Sequence, residues 1–270
     1  MKARSTRWKI LSLIIVGTLL ISGCSLEKQH PNSSLKSVAI DIAESQKIAT
    51  ITFTPEPSMT PTLPPTVMPT FFVTPTITTT PAPPYPPEYF IKNITGHKQY
   101  FPLGCETAAA VDWALFFGVP INEYEFQVKL PQSDNPDFGF VGGLQGPWGQ
   151  VPPYSYGVHA GPIAALLREY GISAVGLRGA TIDLVKEQLS KDQPVIAWVI
   201  GNMVGGVPSE YTDKQGNKVI VAAYEHVVIL TGYDQDSIRY MNNGKFYEVP
   251  VEIFKNSWGV LGDMIVMVDR

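Results

Sequence analysis

The chain has 270 residues, of which 44% are hydrophobic and 16% are charged, and its formal net charge is −4. This composition is typical of a protein with a globular domain large enough for a real hydrophobic core. The chain has 24 acidic and only 20 basic residues, which argues against nucleic acid as a partner.

Residues 1–23 have the pattern of a secretion signal. Four basic residues precede an apolar run, Ile10 to Ile21, which is too short for a comfortable membrane span. The run ends in Ile21-Ser22-Gly23-Cys24, which resembles a bacterial lipobox, so we expect cleavage before Cys24 and a diacylglycerol on its thiol. An ordinary signal peptide or a short membrane anchor is the alternative. In each case the rest of the chain, with a charge of about −8, would lie outside the cytoplasm.

Residues 24–87 are predicted to form a lipidated N-terminus followed by a disordered linker. From Thr54 to Pro87 the sequence is rich in proline and threonine, and proline removes backbone donors and fixes φ. Such a tract spans about 3.1 Å per residue where it is extended, on the order of 100 Å in all. We interpret it as a spacer that holds a domain away from a membrane, although a passive leader fits equally well.

Residues 88–270 are predicted to form one globular domain. Its first half is helical, with helices over Cys105 to Phe117, Ala160 to Tyr170 and Thr181 to Ser190. Its second half contains strands over Pro194 to Ile200, Val219 to Tyr224, His226 to Tyr233, Ile238 to Met241, Phe246 to Val249 and Met264 to Val268. This order predicts an α+β fold in which N-terminal helices pack on a C-terminal antiparallel sheet.

Cys105 is the candidate nucleophile. It follows Gly104 at the first turn of the predicted alanine-rich helix, where unpaired N–H groups and the helix dipole favour a thiolate. If Cys24 carries a lipid, Cys105 has no cysteine left with which to form a disulfide. The alternative is a small buried core residue, which is a common role for free cysteine.

His226 is the candidate base, because a cysteine and a histidine that are distant in sequence can meet in the fold as a nucleophile and its base. It begins an apolar strand, so a satisfied strand histidine is the alternative. We find no His, Cys, Asp and Glu pattern with the spacing of metal ligands, so we expect neither a metal nor another cofactor. His159 is expected to cap or pack, and His97 to line the entrance of the site.

Several motifs resemble the bacteriocin-processing-peptidase-like family, which is family thirty-nine of the cysteine peptidases in the papain-like superfamily. They are Gln99-x5-Cys105-x2-Ala108, His226-x5-Gly232-Tyr233-Asp234 and the polar turn after the next strand. The segments 135–142, 156–162 and 254–262 are also similar, so the resemblance covers nearly all of residues 90–268. It implies a papain-like cysteine-peptidase fold.

The resemblance also implies roles for four residues. Cys105 would be the nucleophile, His226 the general base and acid, and Gln99 a donor to the oxyanion. The family has an Asp-Pro pair about sixteen residues after the histidine, where this chain has Asn242 and Asn243. An amide can orient an imidazole through its carbonyl, but it stabilises an imidazolium less than a carboxylate does. Which of the two asparagines orients His226 stays open, and Asn-Gly is also a hairpin-turn signal. An ordinary loop residue is the alternative for Gln99.

These observations predict a membrane-anchored, extracytoplasmic thiol hydrolase that cleaves peptide or other amide bonds. We expect a monomer attached to the membrane through Cys24. A catalytically weak or inactive binding module on the same fold is one alternative, and a cell-wall peptide amidase or transpeptidase is another.

Residues 134–156 and 201–215 are expected to form the walls of the substrate cleft. The segment from Asn256 to Gly259 is expected to be a packing turn with Trp258 in the core.

Overall fold

The computed structural model describes residues 82–269. The predicted signal, the lipidation site at Cys24 and most of the predicted linker therefore lie outside the described residues. None of the helices between residues 82 and 269 has the length and hydrophobicity that a bilayer crossing requires.

Two long irregular segments, residues 91–104 before α1 and residues 130–159 before α3, interrupt elements that otherwise follow one another with shorter connections. The elements are β1 (Tyr89–Phe90), α1 (Cys105–Phe116), α2 (Glu123–Lys129), α3 (Ala160–Glu169), β2 (Ala174–Leu177), α4 (Ile182–Ser190), β3 (Val195–Ile200), β4 (Ser209–Thr212), β5 (Lys218–Val221), β6 (Glu225–Tyr233), β7 (Ser237–Asn242), β8 (Lys245–Pro250), α5 (Val251–Trp258) and β9 (Ile265–Val268). The three predicted helices end within one residue of the expected positions, and the predicted strands are also present.

The main sheet is antiparallel, with strand order β2-β9-β3-β6-β7-β8, and β1 pairs with β6 beside this path. Strands β3 and β6 lie at its centre, and every residue of both is buried, which explains the apolar sequence of β3 and the apolar run from Val227 to Leu230 in β6. Helix α1 packs on β6 and α5 packs on β3. A separate hairpin, β4-β5, lies off the sheet. The α+β fold with helices packed on an antiparallel sheet is therefore confirmed.

Helix α1 is the central helix of the domain. Its first ten residues are all buried, and its alanines allow close packing against the sheet. The indole N–H of Trp113 donates to the carbonyl of Pro194 at 2.6 Å, which ties the far end of α1 to the start of β3. Cys105 is thereby held at a fixed place beside the central strand β6.

The sequence interpretation missed the helices α2 and α5 and the short strands β1, β2 and β4. The segment from Asn256 to Gly259 is not a packing turn: it contains the end of α5, although Trp258 is buried as predicted. Phe254 and Trp258 are four residues apart and stack at 5.1 Å, which is the spacing of one helix face. The polar residues between them obscured this helical period.

Contacts with the domain begin before Glu88, within the predicted linker. The Tyr85 ring meets the Tyr233 ring edge-on at 5.8 Å, and the Tyr85 hydroxyl donates to Asp183 at 2.5 Å. The Tyr233 hydroxyl in turn donates to the carbonyl of Pro86 at 2.9 Å. The last residues of the proline-rich tract are therefore held against the sheet and α4.

Candidate active site

The structure brings the four predicted catalytic residues to one cleft of about 490 Å³. Cys105 begins α1, His226 is the second residue of β6, Asn242 ends β7, and Gln99 lies in the loop before α1. Adjacent strands of the sheet place the histidine beside the asparagine, and α1 packs over them. Residues up to 143 positions apart in sequence, Gln99 and Asn242, thus meet because one helix end faces two neighbouring strand ends.

His226 is oriented by Asn242. The His226 Nε2 atom lies 3.0 Å from Asn242 Oδ1, and Asn243 Nδ2 donates to the same oxygen at 3.0 Å. An oxygen that accepts from Asn243 also accepts from the imidazole, so Nε2 carries the proton. The lone pair is then on Nδ1, which is available to take a proton from a nucleophile.

Asn243 connects the base to the loop that carries Gln99. It accepts a hydrogen bond from the Gln99 backbone N–H at 2.9 Å while donating to Asn242. Asn243 and Gly244 have φ values of 51° and 71° and form the two-residue turn between β7 and β8. The Asn-Gly signal was therefore a turn, as the sequence allowed, and Asn242 before it is the residue that contacts His226.

The Gln99 side chain is bonded to its own loop. Its Nε2 atom donates to the carbonyl of Phe101 at 2.8 Å and to that of Pro102 at 3.2 Å. Gln99 lines the cleft, but these two bonds occupy the amide that the resemblance assigns to the oxyanion. Donation to a substrate would require this amide to turn away from the loop carbonyls.

The pKa shifts of Cys105 and His226 both favour the neutral form of the side chain. Burial and the neighbouring Glu106 and Glu225 carboxyls raise the pKa of the Cys105 thiol well above its ordinary value. Burial lowers the pKa of His226, and the bond to Asn242 opposes this only in part. This result differs from the thiolate predicted from the helix start, because burial and two acidic groups outweigh the helix dipole.

Two acidic residues that the sequence interpretation missed flank the pair. Glu106 follows Cys105 and Glu225 precedes His226, and the two side chains are 1% and 3% exposed. The Cys105 thiol donates to Glu106 Oε2 at 3.2 Å, and the Val158 N–H donates to Glu106 Oε1 at 2.7 Å. The sequence feature that could have identified them is an acidic residue directly beside each catalytic candidate, inside segments that are mostly apolar.

His97 does not line the entrance freely but lies between two carboxylates. Its Nδ1 is 2.7 Å from Asp112 and its Nε2 is 2.7 Å from Glu123. Burial lowers the pKa of His97, but the bonds to Glu123 and Asp112 outweigh it, so the pKa is raised. Glu123 also accepts from the Tyr100 N–H at 3.3 Å. This cluster holds the loop before Cys105 against α1 and α2.

Each of the two loops predicted as cleft walls contributes one residue to the cleft, while residues 98–102 contribute five. Trp148, from the segment 134–156, donates its indole N–H to the Glu225 carbonyl at 2.9 Å and meets the His226 ring edge-on at 6.3 Å. Asn202, from the segment 201–215, also lines the cleft. His159 packs as expected: it is buried before α3, with Nδ1 2.6 Å from Asp137.

A solved structure of similar fold agrees with this architecture, and two others match more weakly. A C39-like peptidase from Bacillus anthracis matches with a TM-score of 0.60 and 23% identity, covering 68% of this chain and 98% of that one. The peptidase domain of Streptococcus ComA, a bi-functional ABC transporter, matches at 0.39 with 13% identity, covering 66% and 99%. A double glycine motif protease from an AMS/PCAT transporter in complex with its leader peptide matches at 0.36 with 15% identity, covering 67% and 99%. The last two TM-scores do not establish a shared fold.

No curated protein matches the chain. The model of the Peptidase_C39 like family matches residues 91–266, which is most of the described domain and includes both Cys105 and His226. The chain therefore belongs to the Peptidase_C39 like family, and its domain is a cysteine peptidase-like hydrolase with a papain-like fold.

Proposed function

We propose that this protein is a membrane-anchored, extracytoplasmic thiol hydrolase that cleaves peptide or other amide bonds. Cys105 is its nucleophile, His226 its base and acid, and Asn242 the residue that orients His226. The observation that carries the proposal is the 3.0 Å contact of His226 Nε2 with Asn242, in the cleft that Cys105 also lines. This arrangement leaves Nδ1 of the imidazole as the proton acceptor.

In the first half of the reaction, the Cys105 sulfur attacks the carbonyl carbon of the amide while His226 Nδ1 takes the thiol proton. The resulting imidazolium then protonates the leaving nitrogen, the C–N bond breaks, and a thioester remains on Cys105. In the second half, His226 takes a proton from water, which attacks the thioester. The acid leaves, and the proton returns to the sulfur, so the enzyme is restored.

The developing oxyanion needs donors in the same cleft. The backbone N–H of Cys105 lies in the first turn of α1, where N–H groups have no acceptor within the helix. The Gln99 amide would supply a second donor after it turns away from Phe101 and Pro102. Removal of one such donor typically raises the barrier by about 3 kcal/mol. Substrate binding would therefore have to reorganise the Gln99 side chain.

A binding or scaffolding module on the same fold is the second candidate. Two observations favour it: the pKa of the Cys105 thiol is raised by burial and by two acidic neighbours, and the Gln99 amide is occupied by its own loop. Asn242 also provides no negative charge to stabilise an imidazolium. In this alternative the cleft would hold a peptide without cleaving it.

Hydrolysis that depends on Cys105 separates the two candidates. The full-length chain in mild detergent is incubated with a peptide library and, in parallel, with muropeptides, and the products are identified by mass spectrometry. We expect cleavage of peptides that is lost in Cys105→Ala and His226→Ala and retained in Glu187→Gln, a change in a surface pair with Lys191. Binding without cleavage would support the module, and cleavage of muropeptides alone would support the cell-wall amidase.

Anchoring rests on the sequence Ile21-Ser22-Gly23-Cys24 and is tested separately. In a bacterial host, mass spectrometry of the N-terminal peptide should find a diacylglycerol on Cys24. The variant Cys24→Ala should move from the membrane fraction to the soluble fraction, while protease added to intact protoplasts should digest the wild-type domain. An uncleaved N-terminus without lipid would reject the anchor but leave the hydrolase proposal intact.

A further inference from the structure

Cys105, Glu106 and Glu225 form a buried group of potential metal ligands. One ligand atom from each residue lies within 4.8 Å of the other two, and the three side chains are 7%, 1% and 3% exposed. Cys105 also lines the cleft, so this group has a route to solvent. The mechanism above uses the sulfur but neither of the two carboxyl groups.

Glu225 supplies an independent sign that the group is incomplete. Among the described residues, its buried Oε1 atom has no hydrogen-bond partner. A buried polar atom without a partner is unusual in a native protein, and this oxygen is able to bind an ion. In addition, no ion pair among residues 82–269 includes Glu106 or Glu225.

When its members are ionised, the group is negatively charged and is stabilised by a positive partner. Two buried carboxylates beside a sulfur that becomes negative when it loses its proton are unfavourable without compensation. The compensation is either protons on the carboxyl groups or a cation. The two differ in one respect: a proton leaves Cys105 free to react, whereas a cation would bind its thiolate.

The ligand set selects the class of cation. Thiolate is a soft ligand that disfavours Mg²⁺ and Ca²⁺, while zinc accepts sulfur and carboxylate oxygen together. Zinc binds sulfur at about 2.3 Å and carboxylate oxygen at about 2.1 Å, so adjacent ligand atoms in a tetrahedral site are roughly 3 to 4 Å apart. The distance of 3.2 Å between Cys105 Sγ and Glu106 Oε2 already falls in this range.

We propose that Cys105, Glu106 and Glu225 bind one zinc-class divalent cation and that this ion reversibly blocks the cleft. The cation replaces the thiol proton and any proton on the carboxyl groups, so binding releases protons to solvent. The sulfur that it holds is the proposed nucleophile, and in this respect the inhibitory consequence rests on the proposed function. The binding site itself does not depend on whether the protein is a hydrolase.

Cobalt is the probe, because Zn²⁺ has no absorption and Co²⁺ bound to thiolate has a sulfur-to-metal charge-transfer band in the near ultraviolet. The full-length chain is titrated with Co²⁺, and the bound Co²⁺ is then displaced with Zn²⁺. We expect the band in wild type and in Glu187→Gln, and its loss in Cys105→Ala, which still contains Cys24. In Glu225→Gln, which removes one carboxylate ligand at nearly constant volume, we expect binding weakened by roughly tenfold or more.

The outcomes are distinct for each part of the proposal. A wild-type protein without the band, or a Glu225→Gln variant that binds Co²⁺ as tightly as wild type, would overturn the metal site. Near-ultraviolet circular dichroism of each variant separates loss of a ligand from loss of the fold. If the band forms and peptide cleavage is not inhibited by Zn²⁺, the site stands and Cys105 is not the nucleophile. If Zn²⁺ inhibits and a chelator restores cleavage, both conclusions are supported.

Discussion

The segment from His97 to Cys105 has a buried carboxylate pair at each end, and the two pairs are balanced differently. Asp112 and Glu123 hold the His97 imidazole between them, with both ring nitrogens bonded at 2.7 Å. Glu106 and Glu225 have no such cation among the described residues, and one oxygen of Glu225 has no partner. One pair has an imidazole of the protein between its carboxyl groups, and the other has no cationic side chain among the described residues.

This difference explains why the two ends of one loop have different properties. The compensated pair fixes the loop against α1 and α2, and an internal ion pair of this kind contributes to a unique local structure. Burial, and to a smaller extent the uncompensated pair, keeps the pKa of Cys105 high and so disfavours a thiolate at rest. The His97 end of the loop therefore contributes mainly to the stability of the fold, and the Cys105 end determines the reactivity of the thiol.

Removing the His97 imidazole should have the largest effect. In His97→Ala, two buried carboxylates lose their partner, so we expect the free energy of unfolding at pH 7 to fall by about 2 kcal/mol. This is below the usual range for a buried pair because the His97 side chain is 32% exposed. Urea unfolding measures the change, with Glu187→Gln as the surface control. A difference under about 0.5 kcal/mol would mean that the pair does not need its imidazole.

Glu225 and His97 should each contribute less to stability as the pH rises, in two different windows. The pKa of Glu225 is raised above its ordinary value of 4.5, and that of His97 above 6.5, so the folded state holds extra protons in both cases. Each group therefore stabilises the fold fully below its ordinary pKa and loses this contribution as pH rises through its folded pKa, by at most about 1.4 kcal/mol per pH unit.

Unfolding measured from pH 4 to pH 9 distinguishes the two clusters. Glu225→Gln should remove the part of the decline that begins at the lower pH, and His97→Ala the part that begins above 6.5. If either variant keeps the whole wild-type profile, the assignment of that window to its cluster is wrong.

The reactivity of Cys105 should report the charge of Glu225. At acid pH the Glu225 carboxyl is protonated, so Glu225→Gln and wild type should react with iodoacetamide at equal rates. As the carboxyl ionises, the wild-type thiol becomes harder to deprotonate, and the variant should react up to about tenfold faster. Peptide mass spectrometry separates Cys105 from Cys24. A rate ratio that does not change with pH would show that Glu225 does not act through its charge.

A smaller effect is expected from restoring the acidic residue of the family. In Asn242→Asp a carboxylate would stabilise the protonated form of His226, so kcat/KM at pH 7 should rise by a few-fold, on the order of 1 kcal/mol in the barrier. Asn202→Asp is the matched control, because it adds the same charge elsewhere in the cleft. An equal rise in both variants would indicate a general charge effect and not improved support of His226.

The sequence predicted much of the fold because its signals are local. Alanine and apolar residues define α1, Thr181 caps α4 as expected, and the apolar runs mark β3 and β6. Helix α5 was missed because its buried positions are separated by polar residues typical of turns. Strand β2 is four residues long, and its pairing with β9 cannot be recognised without the partner.

By itself the sequence determined the residue types of the candidate site and their order, from Gln99 and Cys105 to His226 and Asn242. It also determined the turn at Asn243, because an Asn-Gly pair specifies its backbone locally. Only the tertiary structure decided the charge state of the site. Glu106 and Glu225 are 119 residues apart, and whether they raise or spare the pKa of a thiol depends on burial and on distance, which no local pattern encodes.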